Sequence, residues 1–413
     1  MKNRIFFITL SIFVLLCTCF SSFAVDETVN ITFWHGYNED SGEADLLVNT
    51  LIPQFEADHP NIKVTAVSVP YDSFLTKLIA AISAGSAPDL FRSDIIWVPQ
   101  LAEQGALLSL DENMPDFEEY KAAVFEGPLS TNYWKGHYYG LPLDTNTKVW
   151  LSNTAMFEKA GISVPATMSE LEDACKAIKA SDSNAYIFSA DGFYAWNMLP
   201  FIWSFGGGIT DEEVTTADGY INSPQTVAAY EFIMKLYDEG CISPLIMGDG
   251  VDNYSGFAGG LYADISDGPW AYSILNGQFP DFTFEASLFP EGDGGSIQVI
   301  GGEDINIISQ TQHKDEALEF MRFLVSKDYQ IAMMSVGQMP VRNDLAESEE
   351  VKNHPYFGIF LEQIATSKAR TAHPNWAQID SVITDAGQLI ARKEMSAQQA
   401  LDEAAAKIND LIK

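Results

Sequence analysis

The sequence predicts an α/β fold built as two halves. Strand-like and helix-like segments alternate from Val29 to about residue 107, which indicates parallel strands joined by right-handed crossovers. Two mixed segments, 134–153 and 298–309, interrupt the later chain, and the last third is nearly all helical. The chain is therefore expected to pass between two α/β units more than once.

Side-chain periodicity predicts the first strands and helices of the chain. VNITFWHGY, from Val29, alternates β-branched and aromatic residues up to Gly36 and predicts a strand. Apolar residues at spacings of three and four, from Ala44 to Phe55, predict a helix. IKVTAVSV is the second strand, and YDSFLTKLIAAISAG is a helix that ends at Gly85.

The third strand, APDLFRSD, is followed by a third helix, IIWVPQLAEQGAL. In sheets of this kind, ligands bind in the crevice beyond the carboxyl ends of the strands. The residues at these ends are Trp34 and His35, then Arg92 to Asp94, with Trp97 close by. A binding crevice is therefore expected there.

The second half of the chain is first aromatic and then helical. WKGHYYGLPLDTNTKVWLSN has two strand-like parts, and DGFYAWNMLPFIWSFGGG carries a cluster of aromatic residues. SPQTVAAYEFIMKLYDEG is a helix with Ser223 as its cap, and QVIGGEDINIIS precedes the helix KDEALEFMRFLVS. YFGIFLEQIATS, IDSVITDAGQLIARK and SAQQALDEAAAKINDLI complete the helical third.

The N-terminus has the pattern of a secretory signal peptide, residues 1–24. Lys2 and Arg4 precede an apolar run, and Ser22-Phe23-Ala24 supplies small residues for cleavage. The alternatives are an uncleaved anchor helix and lipid attachment at Cys17 or Cys19. The mature protein is expected to be exported, free in the periplasm or, as the second option, lipid-anchored at the cell surface.

Beyond residue 24 the cysteines are Cys175 and Cys241, too few for a disulfide framework. Cys175 lies at helical spacing from Leu171 and Ile178, which favours a buried small apolar side chain. A disulfide between the two cysteines is the alternative.

The charge balance is strongly acidic. The 23 Lys and Arg residues face 57 Asp and Glu residues, a net charge of −34, and removal of Lys2 and Arg4 with residues 1–24 makes it −36. Such a surface repels nucleic acids and anionic membranes, so no nucleic-acid partner is expected. A monomer is expected.

Motifs of enzymes and metal sites are missing from the sequence. It has no glycine-rich phosphate loop, no HExxH and no GxSxG, and its histidines show no metal-ligand spacing. We therefore expect no enzyme, no metal and no cofactor. A secreted glycosidase stays open as an alternative, because a pair of carboxylates is recognised by geometry and not by counting.

Aromatic residues at loops and element ends indicate a sugar site. The informative ones are Trp34, Trp97, Tyr194, Trp196, Trp270 and Trp376. A flat aromatic face suits the apolar face of a sugar ring, and planar polar side chains suit its hydroxyl groups. Such polar side chains lie within a few residues of these aromatics: Asp94, Asp144, Asn146, Asp191 and Arg370. Core packing is the competing interpretation for each Trp.

Trp270 has the clearest position. GGLYADIS predicts a strand, Asp267-Gly268 a cap region, and Pro269 the first residue of a helix. Trp270 therefore falls in the first turn of a helix, at the carboxyl end of a strand, where ligands bind.

Four segments carry a family resemblance: WKGHYYGLPLDTNTKVWLSNTAMFEKAGI, DGPWAYSIL, KDEALEFMRFLVSKDYQ and MPVRNDL. From about Ile31 to its C-terminus, the chain resembles family 1 of the extracellular solute-binding proteins, the sugar-binding group that includes maltose-binding protein. The resemblance implies a type II periplasmic-binding-protein-like fold, with two α/β lobes and a ligand cleft between them.

The resemblance also implies how the chain divides. Three crossing strands would lie near Leu141–Thr147, Val299–Ile305 and Met339–Asp344. The N-terminal lobe would comprise residues 25–140 and 305–340, and the C-terminal lobe residues 141–304 and 341–413.

Several site residues are implied by matching positions of the family. Trp270 and Trp376 match its cleft aromatics, and Arg370 a family Arg. Asp94 matches the carboxylate after the third strand, and Asn146 the polar residue after the first crossing, with Asp144 beside it. Asp191, Phe193 and Tyr194 match an acidic and aromatic stretch of the second lobe. Gly302 and Glu303, on the second crossing, complete the expected site.

The chain departs from maltose-binding protein at two places. Trp34-His35-Gly36 stands where that protein has an Asp-Lys pair, and Gly301-Gly302-Glu303-Asp304 is more acidic than expected. The resemblance therefore implies a carbohydrate without implying a maltodextrin.

The function implied is that of an exported carbohydrate-binding protein. It would hold a sugar, an oligosaccharide by expectation, between lobes that close on it, and deliver it to the membrane permease subunits of an ABC importer. A binder of a polyamine or a phosphodiester is the alternative within the same fold.

Overall fold

A computed structural model describes residues 28–413 of the chain. The predicted signal peptide and the two cysteines within it lie outside the described residues. The strands are β1 (Val29–His35), β2 (Ile62–Ser68), β3 (Leu90–Asp94), β4 (Tyr133–Trp134), β5 (His137–Tyr138), β6 (Gly140–Thr147), β7 (Val149–Asn153), β8 (Tyr186–Ser189), β9 (Tyr262–Asp267), β10 (Phe284–Ser287), β11 (Val299–Ile307) and β12 (Lys368–Ala369).

Helices cover both faces of the sheets. They are α1 (Gly42–Leu46), α2 (Ile52–Asp58), α3 (Tyr71–Ala84), α4 (Val98–Glu103), α5 (Leu110–Asn113), α6 (Phe117–Ala123), α7 (Glu126–Ser130), α8 (Thr154–Ala160), α9 (Met168–Ser181), α10 (Ala195–Ser204), α11 (Pro224–Asp238), α12 (Asn253–Ala258), α13 (Trp270–Gln278), α14 (Lys314–Leu324), α15 (Lys327–Met334), α16 (Glu349–Lys352), α17 (Phe357–Ile364), α18 (Trp376–Ala391) and α19 (Ala397–Leu411). A π-helical turn at Leu47–Leu51 joins α1 to α2, and a 3₁₀ turn lies at Pro244–Met247.

The first lobe is built on the sheet β2-β1-β3-β11. β1 pairs in parallel with β2 and β3, as the alternation of strands and helices predicts, and β11 pairs antiparallel to β3. β6 lies along the other edge of β11, also antiparallel. An apolar core beneath this sheet combines Phe33 of β1, Phe55 of α2 and Phe320 of α14. The first lobe therefore draws on two separate parts of the chain.

The second lobe is built on the sheet β10-β7-β9-β8. β8 and β9 are parallel, whereas β7 is antiparallel to both of its neighbours. Its core contains a group of aromatic rings in which Trp150 stacks on Phe188 with centroids 4.8 Å apart, and Phe289 meets Trp150 and Phe201 edge-on. The C-terminal helices α18 and α19 pack on this core through residues such as Ile383 and Leu401. The predicted two-lobe α/β architecture is confirmed.

The two sheets are connected by extended segments at the base of the cleft. β6 passes directly into β7 with Lys148 as the single intervening residue, and β11 enters the first sheet from the second lobe. The third predicted crossing, 339–344, is not a strand. It forms isolated bridges from Met339 to Thr145 and from Arg342 to Val124, because Pro340 has no N–H to donate to a ladder.

The domain limits drawn from the sequence stay a prediction. Among residues 28–413, no helix combines the length and the apolar character needed to cross a membrane.

Cys175 and Cys241 form a disulfide, with their Cα atoms 5.6 Å apart. The interpretation of Cys175 as a separate apolar side chain was therefore incomplete: both cysteines are buried, but they are bonded to each other. Helical periodicity indicates only that Cys175 faces inward. The approach of Cys241 depends on the packing of α9 against β8, whose Ile187 N–H donates to the carbonyl of Cys241.

We expect the double variant C175A/C241A to lose about 4 kcal/mol of unfolding free energy. The bond joins residues separated by 66 positions, and a loop of that length carries roughly this closure entropy in the unfolded chain. Urea unfolding followed by circular dichroism measures the difference. Reductant should shift the wild type toward the variant and leave the variant unchanged. Equal midpoints for wild type and variant would contradict the prediction.

Candidate functional site

A cleft between the lobes has a volume of about 710 Å³, inside the roughly 300–1,000 Å³ of small-molecule sites. Its walls come from the end of β1 and the start of α3, from the ends of β3, β6 and β11, and from the beginnings of α10, α13 and α18. Ten residues expected from the sequence line it: Asp94, Asn146, Asp191, Tyr194, Trp196, Trp270, Gly302, Glu303, Arg370 and Trp376.

Four expected residues do not line this cleft. Trp34 and His35 still belong to β1, so they lie within the sheet, and the chain enters the cleft only at Gly36. Trp97 is buried with Phe74 beside its ring at 5.3 Å. Asp144 is buried behind the cleft wall, where its carboxylate faces Arg92.

Other residues that line the cleft were not predicted from the sequence. They include Tyr37, Asn38, Ser41, Glu43, Tyr71, Asp72, Arg92, Ile96, Gln338 and Asp380. Arg92 lies at the carboxyl end of a strand, where a binding crevice was expected, but of this strand end only Asp94 was included in the predicted site. The others follow an element end by a few residues or come from a distant part of the chain, and no local pattern marks them.

Arg92 is the buried cation on the first-lobe side of the cleft. Its Nη2 lies 3.1 Å from Asp144 Oδ2 and 2.8 Å from Glu303 Oε2, and its guanidinium sits 4.3 Å from the ring centre of Tyr37. Burial raises the pKa of Glu303 well above its usual range, although Arg92 acts to lower it. One guanidinium therefore serves two carboxyl groups, one of which has an increased affinity for a proton.

Arg370 and Asp94 form a second buried pair across the cleft. Arg370 Nη2 donates to Asp94 Oδ1 at 2.9 Å, and each side chain is less than 10% exposed. The Tyr71 hydroxyl donates to the other oxygen of Asp94. Because Asp94 ends β3 and Arg370 precedes α18, this pair connects the two lobes.

Apart from Glu303 Oε2, which lies in the ion pair with Arg92, three buried polar atoms on the cleft residues have no hydrogen-bond partner among residues 28–413. They are Nε of Arg92, Nε of Arg370 and Oδ1 of Asn146. Buried polar groups without partners are rare and costly, so each calls for a partner from outside the chain. Together they supply two donors and one acceptor.

Trp270 is a half-buried aromatic ring of the cleft. Its indole folds over Gly268, where an added Cβ would lie 2.2 Å from a ring atom. Asp267 holds this turn, because its Oδ1 accepts the N–H of Gly268 at 2.8 Å and its Oδ2 accepts the Tyr254 hydroxyl at 2.7 Å. The ring is thus fixed by the backbone beneath it while part of its surface faces the cleft.

The rings of the other two cleft tryptophans are contacted by neighbouring side chains. Trp196 lies 5.0 Å from the Arg370 guanidinium and 5.3 Å from Lys148 Nζ, and its edge abuts Gly301, which has no side chain to displace it. Trp376 is 2% exposed and belongs to the second-lobe core. Among the three cleft tryptophans of the described chain, Trp270 therefore has the face least occupied by cations and core packing, while Tyr71 is the most exposed aromatic side chain of the cleft.

Carboxyl groups outnumber guanidinium groups on the cleft surface by six to two. The carboxyls are Glu43, Asp72, Asp94, Asp191, Glu303 and Asp380. Burial raises the pKa of Asp380, which accepts the backbone N–H of Ala195. No group of three or more His, Cys, Asp or Glu side chains within residues 28–413 is arranged to hold a metal ion. The cleft is therefore acidic and rich in hydrogen-bond acceptors.

A sequence profile of bacterial extracellular solute-binding proteins matches residues 50–358, about three quarters of the chain. The chain belongs to this family. Members of the family bind substrates outside the cell.

Two proteins with named ligands match this chain over most of their length. The multiple sugar-binding protein of Streptococcus mutans is 24% identical over 366 residues, covering 80% of this chain and 81% of the relative. A solute-binding protein of an ABC transporter from Thermotoga lettingae, solved with α-D-tagatose, has a TM-score of 0.83 at 26% identity and covers 94% of this chain and 100% of that one.

A further structure, UgpB of Mycobacterium tuberculosis with glycerophosphocholine, has a TM-score of 0.80 at 19% identity, covering 93% of this chain and 98% of that one. At this identity the likeness shows the fold alone.

His35 sits just behind the cleft, buried between Phe33 and Tyr37. Burial, and next the positive charge of Arg92, lower its pKa to about 4. Its Nδ1 has no partner within the described part of the chain. The folded protein therefore holds His35 neutral at pH values at which the unfolded chain protonates it.

We expect acid to destabilise the wild type more than the variant His35→Gln. The unfolded chain binds a proton near pH 6.5 and the folded protein near pH 4, so stability is lost as the pH falls between these values. The differential loss at about pH 4.5 amounts to about 2–3 kcal/mol. Urea unfolding of both proteins at about pH 7.5 and about pH 4.5 measures it. A difference between the two proteins that does not change with pH would contradict the assignment.

Proposed function

We propose that this chain is an exported carbohydrate-binding protein, not an enzyme, that delivers its ligand to the membrane permease subunits of an ABC importer. The observation that carries the proposal is the pairing of Trp270 with unpartnered polar atoms in one interlobe cleft. A sugar ring stacks its apolar face on an indole and offers hydroxyl groups that both donate and accept hydrogen bonds. The unpartnered atoms of Arg92, Arg370 and Asn146 require both roles.

The ligand would contact both lobes at once. Trp270 belongs to the second lobe, Arg92 to the first, and Asn146 to the strand that connects them. A sugar that contacts both lobes binds the closed arrangement more tightly than the open one. It therefore shifts the equilibrium toward closure by the difference between these two binding free energies. A closed monomer with its sugar would be the form presented to the permease.

The ligands of related proteins support a carbohydrate. The Streptococcus mutans relative is a multiple sugar-binding protein, and the Thermotoga lettingae structure holds α-D-tagatose. The volume of about 710 Å³ leaves room for more than one sugar unit, which favours an oligosaccharide. The buried Cys175–Cys241 disulfide fits an oxidising compartment outside the cytoplasm. We favour a free periplasmic protein, with lipid anchorage as the second option.

A cationic solute is the second candidate, favoured by the excess of carboxyl groups in the cleft. A polyamine would pair with Glu43, Asp72 and Asp191, which have no basic partner within salt-bridge distance in the described chain. The same excess opposes a phosphodiester, because its negative charge would face more carboxyl groups than guanidinium groups. Spermidine and glycerophosphocholine therefore belong in the ligand screen beside the sugars.

Thermal unfolding in the presence of mono- and oligosaccharides tests the proposal directly. A ligand that binds the folded protein alone raises its melting temperature, and the shift increases with the logarithm of the ligand concentration once this exceeds the dissociation constant. Stabilisation by a sugar and by neither spermidine nor glycerophosphocholine is expected. Stabilisation by spermidine with no response to any sugar would favour the second candidate.

The variant Trp270→Ala is expected to bind the stabilising sugar at least about thirtyfold more weakly, because removal of a central aromatic contact costs about 2 kcal/mol or more. Its unliganded melting temperature should stay close to that of the wild type, since the ring is half-exposed. Trp134→Ala is the matched control, because Trp134 is also half-buried but lies on β4 away from the cleft. Titration calorimetry measures the affinities. A large loss of unliganded stability would instead assign Trp270 to the core.

A secreted glycosidase is separated from a binding protein by turnover. The purified protein is incubated with the same oligosaccharides, and new reducing ends are measured over time. We expect none above the rate without protein. Sustained release of reducing ends that occurs only when the protein is present would overturn the assignment as a binding protein.

A further inference from the structure

A small side cavity lies in the second lobe next to the cleft. Its volume is about 60 Å³, room for a few non-hydrogen atoms at roughly 10–15 Å³ for each water-sized position. Three of its wall residues, Asp191, Tyr194 and Trp196, also line the cleft. The cavity is therefore adjacent to any ligand held against these residues.

Lys148 supplies the charge in the side cavity. It is 2% exposed, and its Nζ donates to Asn197 Oδ1 at 3.1 Å. An ammonium group has three donors, so this contact leaves two of them unused. Burial lowers the pKa of Lys148 to about 8 while Asp267 and Asp191 act to raise it, so the amine is still mainly protonated at neutral pH.

Two further polar atoms on the cavity walls have no hydrogen-bond partner among the described residues. They are Oγ of Ser189, a residue that is 1% exposed, and Oδ1 of Asn253. Lys148 can only donate, the Asn253 oxygen can only accept, and the Ser189 hydroxyl can do both. A hydroxyl group, which donates one hydrogen bond and accepts others, matches this set.

The neighbouring charges argue against an anionic group in the cavity. Asp191 and Asp267 both line it, and the oxygens of Asp267 are already engaged by Tyr254 and Gly268. An anion would gain one ammonium contact and face two carboxylates, whereas a neutral hydroxyl gains the contact without that repulsion.

We propose that the side cavity is a subsite for the exocyclic hydroxymethyl arm of a hexose unit, with Lys148 and Ser189 as its specificity-determining residues. This subsite rests on the proposed function, because it requires a sugar ring in the cleft against Tyr194 and Trp196. It would make the protein prefer hexose units to pentose units of the same ring configuration, which lack the arm.

Paired sugars that differ only in the hydroxymethyl arm test the subsite. The pairs are D-glucose and D-xylose, D-galactose and L-arabinose, D-mannose and D-lyxose, and cellobiose and xylobiose. For the pair that binds, we expect the hexose member to bind at least about tenfold more tightly, since hydrogen bonds to a charged group are among the stronger ones. Titration calorimetry gives both dissociation constants.

Lys148→Met and Ser189→Val should each reduce the hexose-to-pentose ratio to about twofold or less by weakening the hexose member alone. Methionine removes the ammonium, and valine fills the cavity from a strand position that accepts a β-branched residue. Lys179→Met is the control, because Lys179 is a half-buried lysine of the same lobe that lies over Tyr186 and lines neither the cleft nor the side cavity. Ser189→Ala removes only the unpartnered hydroxyl and serves if a larger substitution does not fold.

The outcomes separate this inference from the proposed function. Sugar binding with a ratio that Lys148→Met, Ser189→Val and Ser189→Ala leave unchanged overturns the subsite and leaves the carbohydrate assignment standing. Equal weakening of both members of a pair also overturns it, since Lys148 and Ser189 would then act on a part of the ligand that both sugars share. If the protein binds no sugar but is stabilised by spermidine, the proposed function and the subsite both fail.

Discussion

The pairing of β11 with β3 on one edge and β6 on the other is the constraint on which the cleft depends. Antiparallel register places Glu303 opposite both Asp94 and Asp144, and Gly301 opposite Asn146. Residues far apart in the chain thereby meet at one end of the sheet. Gly302 has a backbone φ of +143° and an added Cβ would lie 2.6 Å from the Asp144 carbonyl, so the close approach of these strands requires glycine there.

This register brings several charged side chains together in a region that is largely buried from solvent. Arg92, Asp144 and Glu303 are held within one buried cluster, and Arg370 with Asp94 forms another. Removal of one member of such a cluster would leave the others charged and buried, which costs far more than the pair itself contributes. The clusters therefore act mainly to orient polar groups toward the cleft, and burial raises the pKa of Glu303, with Arg92 opposing the shift and the nearby carboxylate of Asp144 adding to it.

Asp267 connects the interlobe cleft with the side cavity of the second lobe. It holds the turn on which Trp270 rests and also forms part of the wall of the side cavity that contains Lys148. Lys148 is itself the residue at which the chain passes from the first sheet to the second. The stacking face, the side cavity and the connection between the lobes are therefore parts of one continuous piece of structure.

Local patterns in the sequence determined the secondary structure and much of the site. Period-2 alternation in β1, helical spacing in α18 and α19, and the Asp-Gly-Pro-Trp turn before α13 depend on neighbours a few residues away, so one stretch of sequence contains the information. The same turn placed Trp270 at a strand end, where the structure also has it. Trp376 and Arg370 were indicated by the aromatic and polar residues near the start of the last helices, and the family resemblance implied matching positions for both.

Tertiary structure decided what depends on residues distant in the chain. The length of β1 moved Trp34 and His35 out of the cleft, strand register turned Asp144 toward Arg92, and helix packing brought Cys241 to Cys175. The side cavity, too, exists only because the β6–β7 connection, the strand end at Ser189 and the start of α12 meet. Burial and electrostatic pairing arise where distant segments of the chain pack together. The periodicity of a single segment carries no information about which segment it will pack against.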